Sequence, residues 1–200
     1  MAWHPLLTLV LTATVVMGSP GPTTISMTAV AAAFGARPSL RYLCGLILGT
    51  TVVLLTVATG FFAILLSVPQ VAPVLIAASA AYILYLAYRI ATAPPLSRHD
   101  ENAMAPSLAG GFALAVANPK AYVAIAAVFA GTTLGEDGTA DTVVKTVVLA
   151  GMIVIIHVCW LLAGTSFRRV LYDPMMSRIA NLVFAAILVF TVLLAFLEQA

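Results

Sequence analysis

The sequence predicts an all-α integral membrane protein: six transmembrane helices as two inverted three-helix repeats, the first helix of each repeat broken at proline. Three observations carry that expectation. The chain of 200 residues is 62% hydrophobic and 8% charged, with a mean hydropathy of +1.11, and a soluble domain of this size could not cover its surface with so few polar groups. Six apolar segments, at 6–34, 42–66, 73–93, 107–134, 142–165 and 179–197, each meet the requirement of about 20 residues for one span. The first segment of each half holds proline near its middle, at Ser19-Pro20-Gly21-Pro22 and at Asn118-Pro119-Lys120.

Taken in order, the segments read as helices because they are long, rich in Leu and Ala, and do not alternate. Met1 to Pro5 hold no Lys or Arg. The first segment therefore lacks the basic start of a signal peptide and is expected to be a retained helix. Gly45 and Gly49 in the second segment, and Gly131 and Gly135 at the end of the fourth, have the spacing of small residues that lets membrane helices approach closely. Cys44 and Cys159 lie inside apolar runs and are expected to be buried packing thiols. Tyr82, Tyr85 and Tyr88 share one face of the third segment, for interfacial or packing roles.

The arginines set the orientation. Arg37 and Arg41, Arg89 and Arg98, and Arg168, Arg169 and Arg178 fall in or beside links on one face, which by the positive-inside rule is cytoplasmic. Both termini are then outside. Three segments precede the polar link and three follow it, so the second half is inserted upside down. This divides the chain into a first repeat at 1–96, a cytoplasmic link at 97–106 and an inverted repeat at 107–200. The net charge of +2 is small and its basic residues are scattered, which gives no footprint for nucleic acid.

The two breaks are the candidate site. Segments of 28 and 29 residues would reach roughly 43 Å as single helices against a hydrocarbon core of about 30 Å. Proline removes a donor and clashes with the preceding turn, freeing backbone groups that lipid cannot satisfy. Ser19 before Pro20, and Asn118 before Pro119, suit the start of a new half-helix, whose amide end favours an anion. Matching breaks in two inverted halves point to a site at the membrane midplane. Gly21 permits close approach, and Thr23, Thr24 and Ser26 add hydroxyls.

Lys120 stands near the centre of its segment, where an ammonium costs about 2.5–3.5 kcal/mol to insert. All the acidic residues are expected in loops or at a terminus, so its partner is either the carbonyls freed at the breaks, or a substrate anion, or the amine is deprotonated. Tyr122 follows two positions later and either touches the site or packs. His157, in the fifth segment, is a candidate proton relay or a hydrogen-bonded packing residue.

These residues resemble the lysine-exporter superfamily (LysE/RhtB type). The resemblance runs through Pro20-Gly21-Pro22, Gly35, Arg37, Gly45 and Gly49, then Ala81 to Leu86 with Arg89, then Gly111-Phe112 and Asn118-Pro119-Lys120-Ala121. It implies export of amino acids or related metabolites across the cytoplasmic (inner) membrane of a prokaryote, driven by the proton motive force. Pro20, Gly21, Pro22, Asn118, Pro119 and Lys120 match its motifs; Ser19, Thr23 and Tyr122 join them as candidate substrate contacts, with Lys120 and the amide ends receiving the carboxylate. The lack of membrane carboxylates favours small neutral amino acids over dibasic ones. The expected partners are the substrate, protons and membrane lipid, with a homodimer possible through the small-residue faces; no cofactor, catalytic residue or metal ligand is expected. The alternative is an exporter of a divalent cation or another small solute, for which no His, Cys and Asp cluster has ligand spacing. An intramembrane serine enzyme would need a nucleophile better placed than Ser19, and a non-transporting assembly protein is the remaining class.

Overall fold

The computed structural model describes residues 3–61, 71–92, 106–167 and 174–197, and within them every element is helical. The first segment is two helices, α1 (Trp3–Gly18) and α2 (Pro22–Phe34), bent by 66° at the first break. α3 (Ala36–Ala58) follows after Gly35, whose φ of 84° turns the chain between them. α4 (Val71–Ala91) completes the first half. The second half opens with α5 (Leu108–Ala117) and α6 (Pro119–Ala130), bent by 61°. It continues through α7 (Gly138–Phe167) and α8 (Pro174–Leu197). By length and apolarity α3 and α7 can each cross a membrane, with up to two more spans where each bent pair counts as one. The predicted loop residues 62–70, 93–105 and 168–173, with Arg98, Arg168 and Arg169 among them, lie outside the described residues, as does most of the predicted link.

α2 is the centre of the bundle. Every residue from Thr23 to Phe34 except Ile25 is buried, and the helix packs against α3, α4, α5, α7 and α8. Its sequence, Pro-Thr-Thr-Ile-Ser-Met-Thr-Ala-Val-Ala-Ala-Ala-Phe, explains how. With no apolar stripe and mostly small side chains, it offers every face to a neighbouring helix. The hydroxyls of Thr24, Ser26 and Thr28 are bonded within the bundle. Ser26 accepts from the Tyr42 hydroxyl at 3.0 Å, and Ser39 of α3 donates to the Val30 and Gly35 carbonyls at 3.3 and 2.6 Å.

Glycine sets the closest crossings. A Cβ on Gly45 would strike the Leu108 carbonyl of α5, and one on Gly111 would strike the Tyr42 carbonyl of α3. A Cβ on Gly49 would meet the Ala115 methyl and the Phe112 carbonyl at 2.7 Å each. α3 and α5 therefore touch backbone to backbone, as the Gly45 and Gly49 spacing predicts. The second glycine pair does not behave this way. Gly131 ends α6 and Gly135 lies beyond it with nothing within 4 Å, so no helix carries that spacing to a partner.

Two further expectations are corrected. Cys44 and Cys159 are free and exposed rather than buried; their helices turn those positions outward, where a thiol suits lipid as well as protein. Asp141 is not in a loop, because α7 begins at Gly138 and carries it in its first turn. There it pairs with Lys145 at 2.7 Å, the two side chains 11% and 6% exposed. Lys145 also donates to the Phe129 carbonyl at 3.0 Å, near the C-terminus of α6, where a cation is favoured. Asp141 accepts from the Leu134 amide at 2.6 Å. The pair joins the end of α6 to the start of α7.

Glycine packing predicts a contrast. Gly45→Ala should lower stability by about 1–3 kcal/mol, as overpacking does. Gly151→Ala, on an open face of α7 with nothing within 4 Å, should be neutral or stabilising by up to about 1 kcal/mol. Thermal unfolding of the two variants in detergent checks this, and equal melting temperatures would count against backbone contact between α3 and α5.

Candidate functional site

The two breaks meet. Although Ser19 and Lys120 are 101 residues apart in sequence, the Lys120 ammonium donates to Ser19 Oγ at 2.9 Å and to the Ser19 carbonyl at 3.3 Å. It also donates to the Pro20 carbonyl. The three N–H groups of the ammonium match three acceptors, two of them carbonyls that the proline break withdraws from helical pairing. Of the partners open to Lys120 on sequence grounds, the freed carbonyls are the ones it meets in this structure.

The break residues divide the work differently from the expectation. Ser19 does not cap α2; its hydroxyl donates to the Val16 carbonyl at 2.8 Å and so closes the end of α1. α2 starts at Pro22, with Gly21 as its N-cap, because proline at the first helical position needs no amide partner. The Gly21 amide donates to Thr24 Oγ1 at 2.9 Å, which substitutes for the missing cap side chain. The glycine leaves room for Lys120: a Cβ there would stand 2.8 Å from Lys120 Nζ and 2.9 Å from its Cδ and would push that side chain aside. At the second break the expectation holds. Asn118 caps α6 by accepting from the Lys120 amide at 3.2 Å, and Pro119 occupies the first helical position.

α7 closes the assembly. The Trp160 indole donates to the Gly18 carbonyl at 3.2 Å, satisfying another freed acceptor at the first break. His157, one turn earlier, is 4% exposed, and its Nδ1 lies 2.8 Å from the Ile153 carbonyl.

A water-accessible cavity of about 40 Å³ lies against the breaks. Its polar lining is Ser19, Thr23, Thr24, Thr50, Asn118, Lys120 and His157, with Gly21 between them; Val16, Met17, Ala121, Ala124, Ile125, Ile153 and Ile156 supply the apolar wall. At about 10–15 Å³ per water in this measure, it has room for roughly three waters. Lys120 and His157 are the ionisable lining residues and no carboxylate lines it.

The structure thus brings together Ser19, Gly21, Thr23, Asn118, Lys120 and His157. Pro20, Pro22 and Pro119 shape the breaks without lining the cavity, and Tyr122 is buried instead in the core cluster with Leu9, Leu54 and Leu149. Sequence reasoning missed Thr50. A hydroxyl in an apolar helix is too common for sequence to single it out.

Comparison with known proteins adds to this geometry. The sequence pattern of the family described as LysE type translocator matches residues 14–198. The cysteine/O-acetylserine efflux protein of Salmonella typhimurium (strain LT2) is 34% identical over 176 residues, covering 86% of this chain and 87% of that protein. The cysteine/O-acetylserine efflux protein of Escherichia coli (strain K12) is 34% identical over 174 residues, with the same shares covered. No solved structure matches.

The Lys120 bridge predicts strong coupling between its partners. Ser19→Ala should cost about 1.5–3 kcal/mol, the range of a hydrogen bond to a charged group, and clearly less in the Lys120→Met background, where only the bond to the Val16 carbonyl is left to lose. A double-mutant cycle read by thermal unfolding in detergent measures the difference; equal costs in the two backgrounds would remove the bridge.

Proposed function

Because the chain belongs to the LysE type translocator family, we propose that it is a secondary-active exporter carrying small neutral amino acids out across the cytoplasmic membrane of a prokaryote. The observation that carries this reading is Lys120, a membrane-depth ammonium held at the meeting point of two helix breaks, on a cavity without acid groups. The N-terminal ends of α2 and α6 add their positive dipole ends to the same place. A substrate carboxylate is the complementary group. It would exchange with the Ser19 and Pro20 carbonyls for the ammonium, so those carbonyls hold the charge ready between substrates.

Substrate choice follows from the same field. A dibasic amino acid would bring a second cation to a cavity lined by no counter-charge, whereas a neutral zwitterion leaves the charge balance unchanged. The relatives named for efflux of cysteine and O-acetylserine, both small and neutral, support this choice. Among the described residues no three His, Cys, Asp or Glu side chains stand together, so nothing in the site favours a metal cation. A cavity with room for about three waters is too small for an amino acid, so the walls on α1 and α6 must part to admit one, as alternating access requires.

The architecture proposed with this function has six spans. α4 and α8, of 21 and 24 residues, join α3, α7 and the two bent pairs. α3 packs on the bent pair of the second half, α7 on the bent pair of the first, and α4 on α8. Exchanging the halves maps this pattern onto itself, which supports two inverted repeats at 1–96 and 107–200 around the link, and both termini outside. The proton motive force supplies the energy, and His157 is the proposed proton carrier.

Efflux from proteoliposomes loaded with labelled cysteine, O-acetylserine, alanine or lysine tests the reading. The neutral amino acids should leave and lysine should not, and Lys120→Ala should reduce efflux at least about tenfold, as loss of a charged hydrogen bond implies. Export of lysine in preference to the neutral compounds would overturn the charge argument; efflux undiminished in the variant would leave Lys120 a structural bridge.

A further inference from the structure

Two polar atoms on the cavity have no hydrogen-bond partner among the described residues: Nε2 of His157 and Oγ1 of Thr50. Their residues are 4% and 6% exposed. The large majority of buried side-chain polar atoms are paired, so two orphans on one small cavity mark a place where a ligand completes the bonding. The chemistry of that ligand is constrained. A carbonyl oxygen only accepts, so His157 Nδ1, 2.8 Å from the Ile153 carbonyl, carries the ring hydrogen. In the neutral ring Nε2 therefore presents a lone pair to the cavity. Thr50 adds a hydroxyl that can also accept.

Resting on the exporter reading above, we propose that His157 Nε2, with the Thr50 hydroxyl, receives the substrate's α-ammonium, and that the coupling proton takes the same lone pair when the ammonium leaves. One lone pair cannot hold both. Protonated, the ring becomes a cation that repels an ammonium, on a cavity that already carries Lys120. The ionisable groups facing this position are few. α1 contributes Val16, Met17 and no ionisable group, α2 and α3 contribute glycine and threonines, and α6 contributes Lys120. The substrate then lies with its carboxylate toward Lys120 and its ammonium toward α7.

Mutual exclusion at one atom is a coupling mechanism. Substrate from the cytoplasm binds neutral His157, the cavity turns outward and the amino acid leaves. A proton from the external water then bonds to Nε2, the cavity turns inward, and that proton passes to cytoplasmic water as the next ammonium arrives. One proton enters for each amino acid exported, and no bond of the substrate is made or broken.

The test uses the full chain in proteoliposomes with labelled L-cysteine kept reduced, and 3-mercaptopropionate as the competitor that keeps carboxylate and thiol but lacks the ammonium. In the wild type the KM for L-cysteine should rise as pH falls from about 8 to about 6, spanning the reference value of imidazole, with kcat little changed. His157→Gln keeps an acceptor but takes no proton. Its exchange of L-cysteine should slow severalfold, its KM should no longer vary with pH, and a pH gradient should no longer drive accumulation. Thr50→Val should raise the KM for L-cysteine about tenfold, the effect of one hydrogen bond to a charged group, while inhibition by 3-mercaptopropionate is unchanged. Accumulation in His157→Gln driven as in the wild type would overturn the shared lone pair. If that variant does not fold, Thr50→Val decides: equal weakening of L-cysteine and 3-mercaptopropionate would overturn the ammonium site. A wild type that exchanges neither L-cysteine nor any other neutral amino acid fails at the exporter reading itself, a result separable from both.

Discussion

Backbone polar groups at a helix break must find partners where neither water nor lipid supplies them, and the rest of this structure depends on how that constraint is met. Two breaks, each made by proline, are placed against one another so that each helps to satisfy the other. Lys120, from the second break, covers the carbonyls of Ser19 and Pro20 at the first. Trp160, from α7, covers the carbonyl of Gly18. The cost of holding an ammonium at membrane depth, a few kcal/mol, is thus offset by acceptors that would otherwise be stranded. Each cost is the remedy for the other.

That arrangement explains why the centre of the bundle is built from small residues. The Lys120 side chain passes over Gly21, where a methyl would stand within 3 Å of it. α2 must come within reach of five helices, and its threonines, serine and alanines allow this. Gly164 of α7 crosses α2 so closely that a Cβ would strike the Thr28 carbonyl. These contacts gain from dispersion and interhelical hydrogen bonds rather than from exclusion of water. The cavity is bounded differently. Val16 and Met17 of α1 and Ala121, Ala124 and Ile125 of α6 give it an apolar wall, so Lys120 is the polar link between those helices that an opening would have to release.

The ion pair of Asp141 and Lys145 places a second requirement at the other end of α6. Lys145 holds the Phe129 carbonyl, its charge lying 5.1 Å from the Phe129 ring. α6 is therefore tied at its start through Lys120 and near its end through Lys145, so it would move as a unit with both anchors. Breaking a buried pair on one side strands a charge, which gives the tie its strength.

Membrane insertion, the helical class, the two breaks and the placing of an ammonium at the second of them were determined by the sequence alone. Each rests on local features: apolar run lengths, proline within them, and an ammonium with no acid in its own segment. Asn118 was legible as a cap for the same reason, since its bond reaches only two residues ahead. What sequence could not decide depends on which way a helix turns or on residues far apart. Ser19 ends α1 rather than opening α2 because Pro22, not Pro20, begins the helix, and the two prolines look alike in sequence. Cys44 and Cys159 face outward because helix rotation is set by packing, which a uniformly apolar segment does not reveal. Asp141 is helical because α7 starts earlier than its apolar run. Only the tertiary structure chose the Ser19 and Pro20 carbonyls for Lys120, removed Tyr122 from the cavity and placed Thr50 beside it. Those choices are contacts between segments about a hundred residues apart, or between helices whose faces are chemically alike, and distance in the chain carries no information about either.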